Sequence, residues 1–141
     1  MSGTHDRRYI FLLNVAQRRI QRQIERRAEA QLKISAVQAG ALFAMARQDG
    51  ALSGDLAAAL DIAPSAMTGL ADRLIKAGLV MRQADAQDKR INRLWLTAAG
   101  RETASKAMTE LATLNDGLTE GFSDEEMGVV SRWLEAMAKR F

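Results

Sequence analysis

The feature that most restricts the fold of this chain is a pair of short helical segments in its middle, joined by only three residues. The first is predicted over Ser53–Leu60, with Ser53 as its N-terminal cap. The second begins at Pro64, the only proline, which suits the first position of a helix because its missing N–H needs no partner there. Gly78 is predicted to stop this second helix.

The two faces of the second helix differ in chemistry. Helical spacing predicts that one face is apolar and buried, through Met67, Leu70, Ala71 and Leu74. The opposite stripe carries short or charged groups, namely Ser65, Thr68, Gly69, Asp72, Arg73 and Lys76. Short polar side chains allow a helix to enter the ~12 Å major groove of DNA and reach base edges. The free N–H groups at the start of such a helix suit phosphates.

A β-hairpin with a long polar tip is predicted directly after these helices. The segments 79–83 and 92–97 are read as strands, and Leu94 and Leu96 alternate with outward residues in the second. Arg73–Arg93 contains six basic residues against Asp85 and Asp88, a local charge of +4. Such a cluster is often only a solvated surface. The two short helices joined by a tight turn match a helix-turn-helix motif. A basic hairpin directly after such a motif is typical of the wing of a DNA-binding domain.

Longer helices flank this central region. Amphipathic spacing predicts helices over about 6–31, 35–48 and 97–118, and Ser123 with Glu126 predicts a capping box at the start of a last helix. The fold class is therefore mainly α, a winged helix-turn-helix in the order α-α-α-α-β-β-α-α. We expect residues 35–97 to form the DNA-binding region. The apolar faces in 1–34 and 98–141 exceed what this region can cover, which predicts a helical dimerisation region.

The first helix is rich in arginine, and two interpretations of that feature stay open. Arg22 and Arg26 could form local ion pairs with Glu25 and Glu29 and simply keep the helix solvated. Alternatively, some of the arginines face DNA phosphates or bind an anionic effector.

Several classes of protein are excluded or disfavoured by composition. There is no cysteine, and the single histidine is His5, so we expect no metal site, no cofactor and no thiol chemistry. Asp85 and Asp88 are predicted at a solvated hairpin tip, where nothing would shift their pKa values, so a catalytic pair is disfavoured. The longest uncharged run, Ile34–Ala46, is too short to cross a bilayer, and 1–8 does not resemble a signal peptide. We expect a cytoplasmic protein that is not an enzyme.

The stretch Leu52–Gly100 resembles the MarR-type transcriptional regulators. The resemblance rests on an ordered set of short motifs: Leu56-Ala57, Ser65, Thr68, Leu74, Gly78-Leu79-Val80, Arg82, Asp88-Lys89-Arg90, Leu96-Thr97 and Gly100. Two positions depart from the family pattern. Ala86 stands where a proline is common before the Asp-x-Arg of the wing, and Lys89 stands where an arginine is usual.

The resemblance implies an obligate homodimer that binds a pseudo-palindromic operator in double-stranded DNA. It implies that Pro64–Ala77 reads the major groove, that Arg90 enters the minor groove, and that Asp88 holds a basic side chain, for which Arg73 is the candidate. The predicted DNA-binding residues are Ser53, Ser65, Thr68, Gly69, Arg73, Asp88, Lys89 and Arg90. A repressor is the leading hypothesis. An activator of the same fold and a winged helix that binds protein instead of DNA are the alternatives.

The resemblance also implies a small organic effector, often an aromatic or other anionic acid. Asn14, Arg18 and Met45 are the candidate wall residues, because an arginine among apolar side chains suits a carboxylate.

Overall fold

The computed structural model describes residues 4–141. The elements are α1 Tyr9–Arg27, α2 Ala36–Arg47, β1 Ala51–Leu52, α3 Ser53–Leu60, α4 Pro64–Lys76, β2 Val80–Ala84, β3 Asn92–Leu96, α5 Ala98–Thr119 and α6 Asp124–Arg140. A single π-helical turn, Ala28–Leu32, follows α1. The chain divides into two compact units, one ending at Glu110 and the other formed by Leu111–Phe141.

The predicted fold class is confirmed, with differences in detail. The sheet has three antiparallel strands in the order β1-β3-β2, and the additional strand β1 was not predicted. Two residues are too few to show the alternation that identifies a strand in a sequence. The first helix begins at Tyr9 instead of Asp6, and it leaves α-helical geometry at Ala28. The predicted grouping of 1–34 with 98–141 concerns a second subunit and stays a prediction.

The core of the first unit lies between α2, α3, α4 and the sheet. Its largest fully buried side chains come from all of these elements: Leu42, Met45, Leu56, Met67, Leu70, Leu74 and Leu94. The buried stripe of α4 is the one predicted, and Leu94 and Leu96 face inward as their alternation indicates. Because one face of α4 is buried along its whole length, the opposite face is held outward.

The helix N-termini are of two kinds. Ser35 of α2 and Ser123 of α6 each form a capping box, the second of which was predicted. The predicted cap at Ser53 is wrong, because Leu52 occupies the cap position and Ser53 is the first helical residue. Ala63 occupies the cap position of α4. Both helices of the central pair therefore leave their first N–H groups without a side-chain acceptor.

The turn at Asp49-Gly50 joins three elements. Gly50 has φ +77°, and a Cβ added to it would lie 2.6 Å from the Trp95 ring of β3. Its carbonyl oxygen accepts a hydrogen bond of 2.9 Å from Arg93 Nη1. Asp49 forms an ion pair of 2.7 Å with Arg101 of α5. The end of α2 is thus fixed to both the sheet and α5.

The start of α5 is fixed by Thr97. Its hydroxyl donates to the carbonyl oxygen of Gly78 at 2.7 Å and accepts from the N–H of Gly100 at 3.0 Å. Gly100 is buried, and a Cβ there would overlap the carbonyl oxygen of Leu79. Of the helices described in 4–141, none is long and apolar enough to span a bilayer.

We predict that the same substitution has opposite effects at two helical glycines of the first unit. Gly100→Ala should lower the free energy of unfolding by about 1–3 kcal/mol, because the backbone of Leu79 must move to admit the new methyl group. Gly54→Ala, with nothing within 4 Å of its Cβ position, should raise it by up to about 1 kcal/mol through helix propensity. Urea unfolding followed by circular dichroism measures both. Equal effects would mean that the contact between α5 and Leu79 does not restrict residue 100.

Candidate nucleic-acid interface

The outer face of α4 is polar and solvent-exposed. Ser65, Thr68 and Arg73 are exposed, and Gly69 between them is half-buried. The hydroxyl of Thr68 donates to the carbonyl oxygen of Pro64 at 3.1 Å, so its methyl group and oxygen lone pairs remain for a ligand. Arg73 forms no ion pair within residues 4–141. This face therefore presents the short polar side chains of Ser65 and Thr68 near the start of α4 and the cation of Arg73 near its end.

The starts of α3 and α4 each present backbone N–H groups that no side chain caps. Ser53, which was predicted to contact DNA, is half-buried at the first position of α3. Because neither helix has a side-chain cap, the positive end of each helix dipole is available to an anion.

The middle of strand β2 is tied to α4 by an ion pair that the sequence did not indicate. Arg82 Nη2 of β2 lies 2.9 Å from Asp72 Oδ1 of α4. Both side chains are largely exposed, so the pair contributes little to stability. It restricts the angle between the hairpin and the helix. The two residues are ten apart in the chain, and nothing in their local patterns indicated that they would meet.

The tip of the hairpin is folded around Asp85. Its Oδ2 accepts hydrogen bonds of 3.1 Å from the backbone N–H groups of Gln87 and Asp88. Its own N–H donates to the carbonyl oxygen of Ile91 at 2.8 Å. These three hydrogen bonds of Asp85 hold the backbone of the turn in one conformation.

Arg93 connects the tip to the body of the domain. Its Nε donates to Asp85 Oδ1 at 2.7 Å, and its Nη1 donates to the carbonyl oxygen of Gly50 at 2.9 Å. The sequence indicated a cation here but gave no sign of its two partners. One half-buried guanidinium thus holds both the wing tip and the Asp49-Gly50 turn.

Arg90 extends from the tip into solvent. Its side chain is 91% exposed. Its Nε and Nη2 donate to the two carboxylate oxygens of Asp88 at 3.1 and 3.2 Å, and its backbone N–H also donates to Asp88. The proposed pairing of Asp88 with Arg73 is therefore wrong. Lys89, next to Arg90, is exposed as well.

The expectation that nothing would shift the carboxyl pKa values at the tip is also wrong. The side chain of Arg93, followed by the N–H groups of Gln87 and Asp88, lowers the pKa of Asp85 below its ordinary value of 3.8. The side chain and then the backbone N–H of Arg90 lower the pKa of Asp88. Both groups are held as carboxylates, which suits anchors of a turn and makes them weaker bases.

The predicted effector residues are not brought together at one cavity. Met45 is completely buried in the core, and Asn14 and Arg18 are exposed on α1. Asn14 lines a cavity of about 650 Å³ near the start of α1, and neither Arg18 nor Met45 lines it. Within residues 4–141, no group of three or more His, Asp or Glu side chains is placed to hold a metal ion.

We predict that each lowered carboxyl pKa depends on its own arginine. Arg93→Gln should raise the pKa of Asp85 toward 3.8 and leave Asp88 low, and Arg90→Gln should do the reverse. Since each folded-state pKa is lowered, the stabilisation is present above the ordinary value and is lost as the pH falls through the folded value. Carboxyl ¹³C shifts titrated by NMR report both groups.

Glu126 is the internal control for this titration, because the pKa of its carboxyl is lowered by the backbone N–H of Ser123, far from the hairpin in sequence. It should titrate identically in both variants. If the pKa of Asp85 stays low in Arg93→Gln, the 2.7 Å hydrogen bond is not what organises the tip.

Comparisons with known proteins agree with this geometry. Residues 32–91 match the model of the MarR family. A crystal structure of an S. aureus MepR–DNA complex is 23% identical, covering 96% of this chain and 100% of that one, with a TM-score of 0.87. A MarR-family regulator from Silicibacter pomeroyi is 25% identical, covering 95% and 90%, with a TM-score of 0.77. One from Methanosarcina mazei Go1 is 24% identical, covering 92% of each chain, with a TM-score of 0.81.

No curated protein matches the chain by sequence. The family model covers the segment from the π-helical turn to the wing tip, and that segment carries the polar stripe of α4, the uncapped helix starts and the exposed arginine of the hairpin. Residues 32–91 therefore match the MarR family model, and the chain is similar in fold to solved MarR-family regulators.

Proposed function

We propose that this protein is a sequence-specific DNA-binding transcriptional regulator that acts as a homodimer. The observation that carries the proposal is the pairing of an exposed polar stripe on α4 with an arginine that is 91% exposed at the hairpin tip. A helix of this width fits the major groove, and an arginine at the end of a narrow hairpin fits the minor groove beside it. The MepR structure, which was solved with DNA, supports the same use of the fold.

The two elements have different roles in this proposal. Thr68 faces base edges with a methyl group and a hydroxyl, which can contact a thymine methyl or a polar base atom. On binding DNA, Arg90 leaves its ion pair with Asp88 and enters a narrow A·T-rich minor groove, where the negative potential attracts it. In that groove an A·T pair and a T·A pair present nearly the same groups to a side chain. Recognition by α4 therefore selects sequence, and the wing supplies affinity and a preference for groove shape.

Repression is the regulatory mode that we propose, by a dimer that occupies a pseudo-palindromic operator overlapping a promoter. Two copies of α4, related by a two-fold axis, would read the two half-sites. A small organic anion is the proposed effector. It would act by changing the separation of the two recognition helices, with a typical coupling of about 1–3 kcal/mol.

Exposed apolar side chains in each unit support the homodimer. In the first unit the start of α1 exposes Tyr9, Ile10, Phe11, Leu12 and Leu13. In the second unit the exposed large apolar residues are Leu111, Leu118, Phe122, Val129, Val130, Trp133, Leu134 and Phe141. Exposed large apolar side chains in such numbers are rare on monomers and mark interfaces.

We predict that the protein sediments as a dimer at micromolar concentration. Leu118→Glu and Leu134→Glu should shift the sedimentation coefficient toward that of a monomer, because each places a charge on a surface proposed to be buried between subunits. Val37→Glu is the matched control, since Val37 is 56% exposed on α2, outside both proposed dimerisation segments. A monodisperse wild-type monomer would contradict the proposal.

We predict that Arg90→Ala and Thr68→Ala weaken DNA binding in different ways. Arg90→Ala should reduce affinity for operator and scrambled duplexes alike and lower the salt slope by about 0.9 for each phosphate that is no longer neutralised. Thr68→Ala should leave scrambled DNA and the salt slope nearly unchanged and reduce the preference for the operator by about 1–3 kcal/mol. Fluorescence anisotropy over a salt series on both duplexes measures these effects.

Val37→Ala serves as the control in the same series, because it removes an exposed apolar group from α2 without altering charge. It should bind both duplexes as the wild type does. Wild-type affinity and salt slope in Arg90→Ala would show that the hairpin does not contact DNA. The alternative of a protein-binding winged helix would then be favoured.

A further inference from the structure

The strongest unexplained feature outside the proposed interface is a row of arginines on α1. Arg18, Arg22 and Arg26 follow one another at intervals of four residues, so they lie on one face of the helix. Arg19 lies beside them, three residues before Arg22. All four side chains are exposed. We call Arg18, Arg19, Arg22 and Arg26 the arginine row.

None of the four has an anionic partner within residues 4–141. The local ion pairs that the sequence allowed, with Glu25 and Glu29, are absent from this part of the chain. Glu25 is the only carboxylate in α1, and it accepts a hydrogen bond of 3.5 Å from Gln21 instead. The fifth arginine of α1, Arg27, points elsewhere, to Glu110 of α5 at 2.7 Å.

An arrangement of this kind destabilises the helix that carries it. Like charges at four-residue spacing cost about 0.2–0.5 kcal/mol per pair, and Arg18–Arg22 and Arg22–Arg26 are two such pairs. An ordinary solvated helix face intersperses the two signs of charge, as Lys106 and Glu102 do on α5 at 3.3 Å. The unpaired row is therefore better explained by a polyanion that offsets the repulsion when it binds.

The type of basic residue in the row indicates which polyanion it binds. Every basic residue of α1 is an arginine, and none is a lysine. The guanidinium group forms paired hydrogen bonds to phosphate oxygens, whereas lysine acts as a point charge. From Arg18 to Arg26 the row extends about 12 Å along the helix axis. A strand of duplex DNA presents a phosphate about every 3.4 Å along its axis, so the row can span several phosphates of one strand.

We propose that the arginine row is a second DNA-backbone-binding surface, separate from α4 and the wing. This inference rests on the proposed function and extends it. The row does not discriminate between base sequences, because its cations contact phosphates, and phosphates are the same at every base pair. It raises affinity for all duplexes equally and increases the number of phosphates that the protein neutralises.

The test compares the triple variant Arg18→Gln, Arg22→Gln, Arg26→Gln with the wild type on a random-sequence duplex across a salt series. Glutamine keeps helix propensity and removes three charges. The matched control is Arg132→Gln, Lys139→Gln, Arg140→Gln, which removes three exposed charges from α6. The row variant should bind several-fold more weakly at low salt, with a salt slope lower by about 0.9 for each phosphate that the row neutralises, and the control should not.

Combination with Arg90→Ala separates this inference from the proposed function. If the two surfaces are independent, their reductions of the salt slope should add in the combined variant. A row variant that binds like the α6 control, while Arg90→Ala binds weakly, would overturn the second surface and leave the DNA-binding function intact. If neither variant changes binding, both proposals fail. Circular dichroism and sedimentation of every variant establish that fold and assembly are retained.

Discussion

The burial of one face of α4 is the constraint on which the rest of the first unit depends. Met67, Leu70 and Leu74 are completely buried among residues of α2, α3 and the sheet. Truncation of such a side chain to alanine costs about 2–5 kcal/mol of stability. This inner face fixes the rotation of the helix about its axis. The outer face can therefore be short, polar and weakly packed without loss of its orientation.

A layer of polar contacts, individually weak, then fixes the direction of the hairpin. Arg82 ties β2 to α4, and Arg93 ties the tip to the Asp49-Gly50 turn. The exposed Arg82–Asp72 pair contributes about 0–1 kcal/mol, so its effect is on geometry more than on stability. Asp85 links the backbone of the tip to Arg93, and as a result the most exposed part of the domain is connected to the end of α2 by an unbroken series of hydrogen bonds.

The sequence predicted what depends on periodicity and failed where the answer depends on which side chains the folded backbone brings together. The buried face of α4, the inward leucines of β3 and the capping box at Ser123 follow from local spacing, and all three are confirmed. The strand β1 was too short to carry a pattern. The partners of Asp85 and Asp88 depend on how the hairpin turns back on itself, which spacing does not encode.

The contact between Trp95 and Gly50 makes the fluorescence of Trp95 sensitive to the position of the hairpin. The chain has two tryptophans, Trp95 in the first unit and Trp133 in the second. The indole of Trp95 lies against the backbone of Gly50. Trp95 is in β3, the strand that leads away from the wing, and it follows by two residues Arg93, which holds the tip. Its emission maximum responds to the polarity of that contact. Replacement of Trp133 by phenylalanine would leave Trp95 as the single tryptophan, and selective excitation of it would report movement of the hairpin root without any attached label.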